Sequence, residues 1–281
     1  TAWSMGNSVN FAGSTELDNG LTVSMAFELD QGTANNSSNG FDNHSVTISS
    51  DSLGSVKFSG HGGSSTTSAL VGSAAGGLWD NFDGKTKTLG VTTIPDAIKS
   101  SGGGNNTFFY TSPAVMDGLS VNLSWNPAAT AGVNSMLGMG VNYTGIDGLS
   151  VSYATIDVEG HTTASEGDNE VLKASYAYGP VTVAYSNFHY NIGTSAAATN
   201  LEMTSYGITY TLSDELSLTY GTEESDKGST AVDAEYTGFT AAYTAGGMTI
   251  TGKMIEGENV NHANTAGDDV DYWSLGASFA F

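Results

Sequence analysis

From Leu21 to Leu29 every second residue is apolar: Leu21, Val23, Met25, Phe27 and Leu29 alternate with Thr22, Ser24, Ala26 and Glu28. A period of two is the mark of a β-strand with one apolar and one polar face. The pattern returns at Leu119–Trp125, Leu137–Tyr143, Leu149–Tyr153, Leu172–Tyr178, Tyr206–Leu212, Leu216–Tyr220 and Trp273–Phe281. Between these segments, tight turns and long polar stretches succeed each other. The tight turns recur roughly every 30 to 35 residues, which is one hairpin of two ~10-residue strands plus a loop. Gly20-Leu21-Thr22-Val23, Gly118-Leu119-Ser120-Val121 and Gly148-Leu149-Ser150-Val151 each open a strand after such a turn. Glycine there supplies the positive φ that hairpin turns need. One tight rim and one elaborate rim predict an up-and-down antiparallel β-barrel with about 15 readable strands.

What faces each side of the wall follows from composition. The polar faces are Ser, Thr, Gly and Asn, and charged residues are only 13% of the chain. Apolar faces end in aromatics: Phe27, Trp125, Tyr143, Tyr153, Tyr178 and Tyr220. That combination suits strands with lipid on one side, water on the other and an aromatic girdle between. There is no run of about 18 apolar residues, so a chain that crosses a membrane does so as a closed barrel. The expected fold class is all-β, a transmembrane antiparallel β-barrel forming a single domain over 1–281. The competing fold is a secreted or surface β-rich protein such as an adhesin, built as a sandwich or solenoid. No signal-peptide pattern opens the chain, so Thr1 has the look of a processed or trimmed start.

The formal net charge is -22, and the seven basic residues are all lysines. Such a chain has nothing with which to neutralise phosphates, so no nucleic-acid partner is expected. The charge favours cations, as permeants or as counterions. The absence of Cys removes disulfides, thiolate metal sites and Cys nucleophiles. The five histidines (His44, His61, His161, His189 and His262) are dispersed, with no HExxH or nucleophile motif, so no enzyme is expected. Gly102-Gly103-Gly104 has no following Lys-Ser/Thr, and is a loop hinge rather than a phosphate cradle.

Between His61 and Asn106 the alternation stops. This stretch is rich in Gly, Ser and Ala and carries one aromatic and acidic knot, Trp79-Asp80-Asn81-Phe82-Asp83-Gly84. A connection so long is functional or counts against the strand assignment. Residues 61–106 are therefore expected to fold into the lumen as a constriction loop. Shorter polar loops are expected at Gln31–Asp42, Asp157–Glu170, Glu223–Asp226 and Glu256–Asp269.

Several segments resemble the Gram-negative general bacterial porins, above all the alphaproteobacterial branch. Ser8–Gly13 and Asp18–Val23 look like the second and third strands of that family. Tyr110-Thr111-Ser112-Pro113 looks like the strand after its constriction loop. Tyr272-Trp273-Ser274-Leu275-Gly276-Ala277-Ser278-Phe279-Ala280-Phe281 looks like its C-terminal assembly strand. The resemblance spans nearly the whole chain and implies 16 strands, one more than can be read, with the first strand missing or replaced. It also implies an outer-membrane homotrimer, with the loop near Gln31–Asp42 latching onto a neighbour, and close packing that small outward residues such as Gly13 and Ala277 would suit.

In that family, acidic residues on the inserted loop face basic residues on the opposite wall, and the field between them orients permeants. The matching acids here are Asp80 and Asp83, with Asp96 a further candidate. By strand parity Lys57, Lys173 and Lys253 point into the lumen, because Val56, Leu172 and Met254 point out. A lysine facing lipid at midplane would cost about 2 to 4 kcal/mol, so parity and energetics agree. Each of the three either lines the constriction or is a solvated lumen residue elsewhere. Lys85 and Lys87 lie on the loop itself. The function implied is a diffusion channel for small hydrophilic solutes and ions, weakly cation-selective. The alternative is a substrate-specific channel in which Trp79 and Phe82 guide one class of solute, unless they anchor the loop to the wall. No cofactor is required. Glu256, Glu258, Asp268 and Asp269 could offer oxygen ligands to calcium in an extracellular loop, or be solvated loop charge.

Overall fold

The computed structural model describes residues 8–29, 41–70, 72–82, 104–127, 134–160, 166–192, 200–228, 232–260, 262 and 269–279. Its strands are β1 (Val9–Glu16), β2 (Thr22–Leu29), β3 (Phe41–Ser50), β4 (Gly54–His61), β5 (Thr107–Thr111), β6 (Leu119–Asn126), β7 (Ser135–Tyr143) and β8 (Leu149–Glu159). Then follow β9 (Gly167–Tyr178), β10 (Val181–Ile192), β11 (Leu201–Thr211), β12 (Leu216–Lys227), β13 (Ala234–Ala245), β14 (Met248–Glu258) and β15 (Val270–Phe279). They form one antiparallel sheet in chain order. Fifteen strands are described, and the sixteenth expected is not among the described residues. β1 and β15 run in the same direction and are not paired with each other among the described residues. The proposed latch falls largely on 30–40, outside the described residues.

The outward faces carry a belt of large apolar side chains. Along one register row Tyr220, Phe239, Met254 and Trp273 lie side by side on β12 to β15. Met254, Leu275 and Trp273 are 69%, 72% and 77% exposed. A continuous exposed apolar surface of this kind needs an apolar solvent. One step toward the long-loop rim the row becomes Thr222, Thr237, Glu256 and Asp271.

At that boundary the strands continue, and the phase of their alternation flips. On β8, Ser150 and Ser152 face in and Tyr153 faces out, but beyond them Ile156 and Val158 face in and are buried while Asp157 and Glu159 face out. β9, β11, β13 and β14 invert in the same way. The acidic stretches expected as loops are therefore strand in part: β8 reaches Glu159, β9 begins at Gly167, β12 reaches Lys227 and so takes in all of Glu223–Asp226, and β14 reaches Glu258. The physical reason is that the wall leaves lipid here. Its outer face meets water, and its inner face gains something apolar to cover.

What covers it is the connection between β4 and β5. Thr66 meets β6 and β8, and Phe82 meets β15, nine strand steps from β6. Nine steps of a flat sheet span about 43 Å, while the roughly 16 residues between Thr66 and Phe82 reach at most ~53 Å when fully extended. They are far from extended, being folded by turns that include Leu70 N to Thr67 O, Gly76 N to Ser73 O and Phe82 N to Trp79 O. The segment touches all these strands only because the sheet curls around it.

Candidate functional site

The inserted segment leaves the wall at a neck where Gly63 and Gly104 exchange two backbone hydrogen bonds, both 2.7 Å. Thr66 then donates its N–H to Ser124 Oγ (3.0 Å) and its hydroxyl to Thr155 O (3.0 Å). Ala74 N–H reaches Ser186 Oγ (2.9 Å) and Ser205 Oγ (3.0 Å). Next the chain crosses a row of three glycines, Gly207, Gly221 and Gly238, which are direct cross-strand partners on β11, β12 and β13. A Cβ at Gly207 would strike the Ala74 carbonyl oxygen, one at Gly221 would sit 2.5 Å from Ala75 Cβ, and one at Gly238 would sit 2.5 Å from Leu78 Cδ2. The row is flat because the segment lies directly on it.

Glu223, which faces in from β12 and is almost wholly buried, closes the clamp. Its carboxylate accepts Ser73 Oγ–H, Gly77 N–H (3.1 Å) and Trp79 N–H (2.9 Å). A buried carboxylate is tolerated only with such donors around it. Past the short 3-10 turn Trp79–Asn81, Phe82 is buried against Tyr236 and Tyr272, with ring centroids 5.6 and 6.2 Å away. Leu78 and Phe82 join Val171, Phe188, Met203, Tyr236, Ile255 and Val260 in one apolar cluster. A small hydrophobic core thus glues the segment to the upper inner wall of β9 to β15.

The described lysines expected at the site do face inward, and they lie on separate strands. Lys57 is on β4 beside Ser59, Lys173 on β9 beside Val171, and Lys253 on β14 beside Ile255. Each sits one inward position toward the tight rim from a residue that the segment or its core covers. Lys173 and Lys253 therefore occupy the wall that the segment crosses, not a wall facing it. Lys173 Nζ would be 3.9 Å from a Cβ at Gly72. Asp80 rides the 3-10 turn and is exposed. Asp83, Asp96, Lys85 and Lys87 lie outside the described residues.

The Gram-negative porin family matches residues 1–227 of the chain. The chain belongs to that family. Among solved structures, a Rhodobacter porin is 18% identical, with 98% of this chain and 92% of that one covered and a TM-score of 0.62. OmpT of Vibrio cholerae is 14% identical over 97% and 88%, with a TM-score of 0.66. An engineered Rh. blastica porin is 16% identical over 98% and 89%, with a TM-score of 0.60. At such identities these likenesses speak for the fold. A comparison with curated proteins finds no match. The porin is an outer-membrane β-barrel channel protein, and the apolar belt is its lipid-facing surface.

The porin's clamp, Glu223 and the glycine row, is not among the residues expected from sequence. The usable signal was parity: an inward glutamate among inward serines, and inward glycines at matching places in three successive strands. Of the calcium candidates, Glu256 and Glu258 face outward from β14, Asp269 Oδ1 accepts Asn259 N–H (3.1 Å), and Asp268 is outside the described residues. Among the described residues no group of three or more His, Asp or Glu is arranged to hold a metal.

Proposed function

We propose that this porin is a diffusion channel for small hydrophilic solutes and ions, weakly cation-selective, and narrowed by the segment that begins at Gly63. The observation that carries this is the exposed Asp80 on a segment fixed to the inner wall. Asp83 and Asp96 would add to its charge from the same loop, with Lys57, Lys173 and Lys253 as the wall cations. Water and solutes would pass between the segment and the inner faces of β1 to β5, where inward residues include Ser14, Ser24, Ala26, Glu28, Thr47, Lys57 and Phe109. The overall charge of -22 concentrates cations at the mouths. The working unit is a homotrimer, as in the family, with no enzymatic activity and no required cofactor. A substrate-guiding aromatic slide is disfavoured by the burial of Phe82 in the wall.

The test is the reversal potential in planar bilayers under a KCl gradient. The wild type should show a cation-selective potential. Asp80→Asn removes one carboxylate, which attracts a K⁺ and repels a Cl⁻ ~5 Å away in water by about 0.8 kcal/mol each, so the K⁺/Cl⁻ permeability ratio should fall by up to about sixteenfold. An unchanged potential in the variant would remove Asp80 from the constriction, and an anion-selective wild type would overturn the selectivity.

A further inference from the structure

The underside of the inserted segment and the wall form a half-open cavity of about 380 Å³. Lys173 projects into it, with Ser150, Ser152 and Ser175 on the wall and Ser73 and Leu70 on the segment above. Ser152 is the cross-strand partner of Lys173, and Ser150 that of Ser175, so three hydroxyls are grouped on one inner patch of β8 and β9. Lys173 is half-buried, and among the described residues no carboxylate stands within ion-pair distance of it. The nearest buried carboxylate along the segment, Glu223, is occupied by Ser73, Gly77 and Trp79. An ammonium group has three donors and no acceptor, and each of the wall serines Ser150, Ser152 and Ser175 adds one rotatable O–H donor, while the Ser73 hydroxyl is already given to Glu223. The niche is thus rich in donors, positively charged and partly desolvated.

We propose that this niche is a subsite for the oxyanion group of a small solute, a carboxylate or a phosphate, held by Lys173 and the surrounding serine hydroxyls on the tight-rim side of the constriction. A multi-oxygen anion can take several of these donors at once, and charge-assisted hydrogen bonds are about twice as strong as neutral ones. The inference rests on the channel function proposed above and goes beyond it. A field at the constriction deflects permeants, whereas a cavity beneath the segment retains one. Retention must stay weak enough for release if the solute is to pass. In a channel that disfavours anions overall, the niche would slow selected anionic solutes and leave chloride little affected.

The test is single-channel recording in KCl with inorganic phosphate, or in separate membranes acetate, added to each side in turn. Either anion should interrupt the wild-type current in a saturable way and act more strongly from one side. Lys173→Met should weaken the interruptions by about tenfold or more, and Lys173→Arg should retain them. Equal interruptions in wild type and Lys173→Met would overturn the subsite. So would an intact KCl conductance in the wild type that neither anion disturbs. A wild type without KCl conductance would instead overturn the channel function, and the subsite with it.

Discussion

Replacing Glu223 with alanine is expected to free the inserted segment, raising single-channel conductance and open-channel noise together. Three donors converge on this one carboxylate: Ser73 Oγ–H, Gly77 N–H and Trp79 N–H. Hydrogen bonds to a charged group contribute about 1.5 to 3 kcal/mol each, and water entering the gap would recover part of that. A net loss of about 3 kcal/mol would shift the docked-to-free ratio of the segment by more than 100-fold. Glu223→Gln should fall between the two, because it keeps one acceptor oxygen and turns an N–H toward donors. Conductance histograms of the three proteins check the order. Identical conductance in all three would mean that the apolar cluster holds the segment alone.

A leucine at Gly221 should have a comparable effect by a different route. Its Cβ would lie 2.5 Å from Ala75 Cβ and 2.8 Å from Ala75 Cα, and backbone cannot yield as a flexible side-chain tip can. Overpacking costs typically about 1 to 3 kcal/mol, and here relief requires lifting the segment off its track. Lifting it would pull Leu78 and Phe82 out of their cluster and widen the passage. The size limit for neutral sugars in liposome swelling should rise for Gly221→Leu. Gly276→Leu is the matched control, since an added Cβ at that inward glycine of β15 meets nothing within 4 Å. A Gly221→Leu protein with the wild-type size limit would show that the segment does not set the passage.

The lower barrel was legible in the sequence because lipid outside and water inside impose one simple alternation. Leu149, Val151 and Tyr153 against Ser150 and Ser152 can be read without coordinates. Above the girdle the same strand continues as Ile156 and Val158 against Asp157 and Glu159, with the apolar residues now facing in. Acid-rich runs resemble loops when only outward hydrophobicity is sought, and that is why β8, β12 and β14 were expected to end early. The inserted segment was legible as an interruption, and Asp80 as a charge on it. Its docking site was not. A glycine in a strand ordinarily signals weakness, and only the register of Gly207, Gly221 and Gly238 reveals a track. Parity put Lys57, Lys173 and Lys253 inside, but it does not specify distance around a barrel, so their dispersal over β4, β9 and β14 needed the fold.

The most direct measurement uses the chain's lack of cysteine. Asp80→Cys introduces one thiol on the exposed side of the docked segment. Treating the open channel with a cationic thiol reagent should lower its conductance in discrete steps and reduce its cation preference, while an anionic reagent of similar size should lower conductance and preserve that preference. If mass spectrometry shows complete labelling and the current through the channel does not change, Asp80 is not at the constriction and the inserted segment does not control the pore.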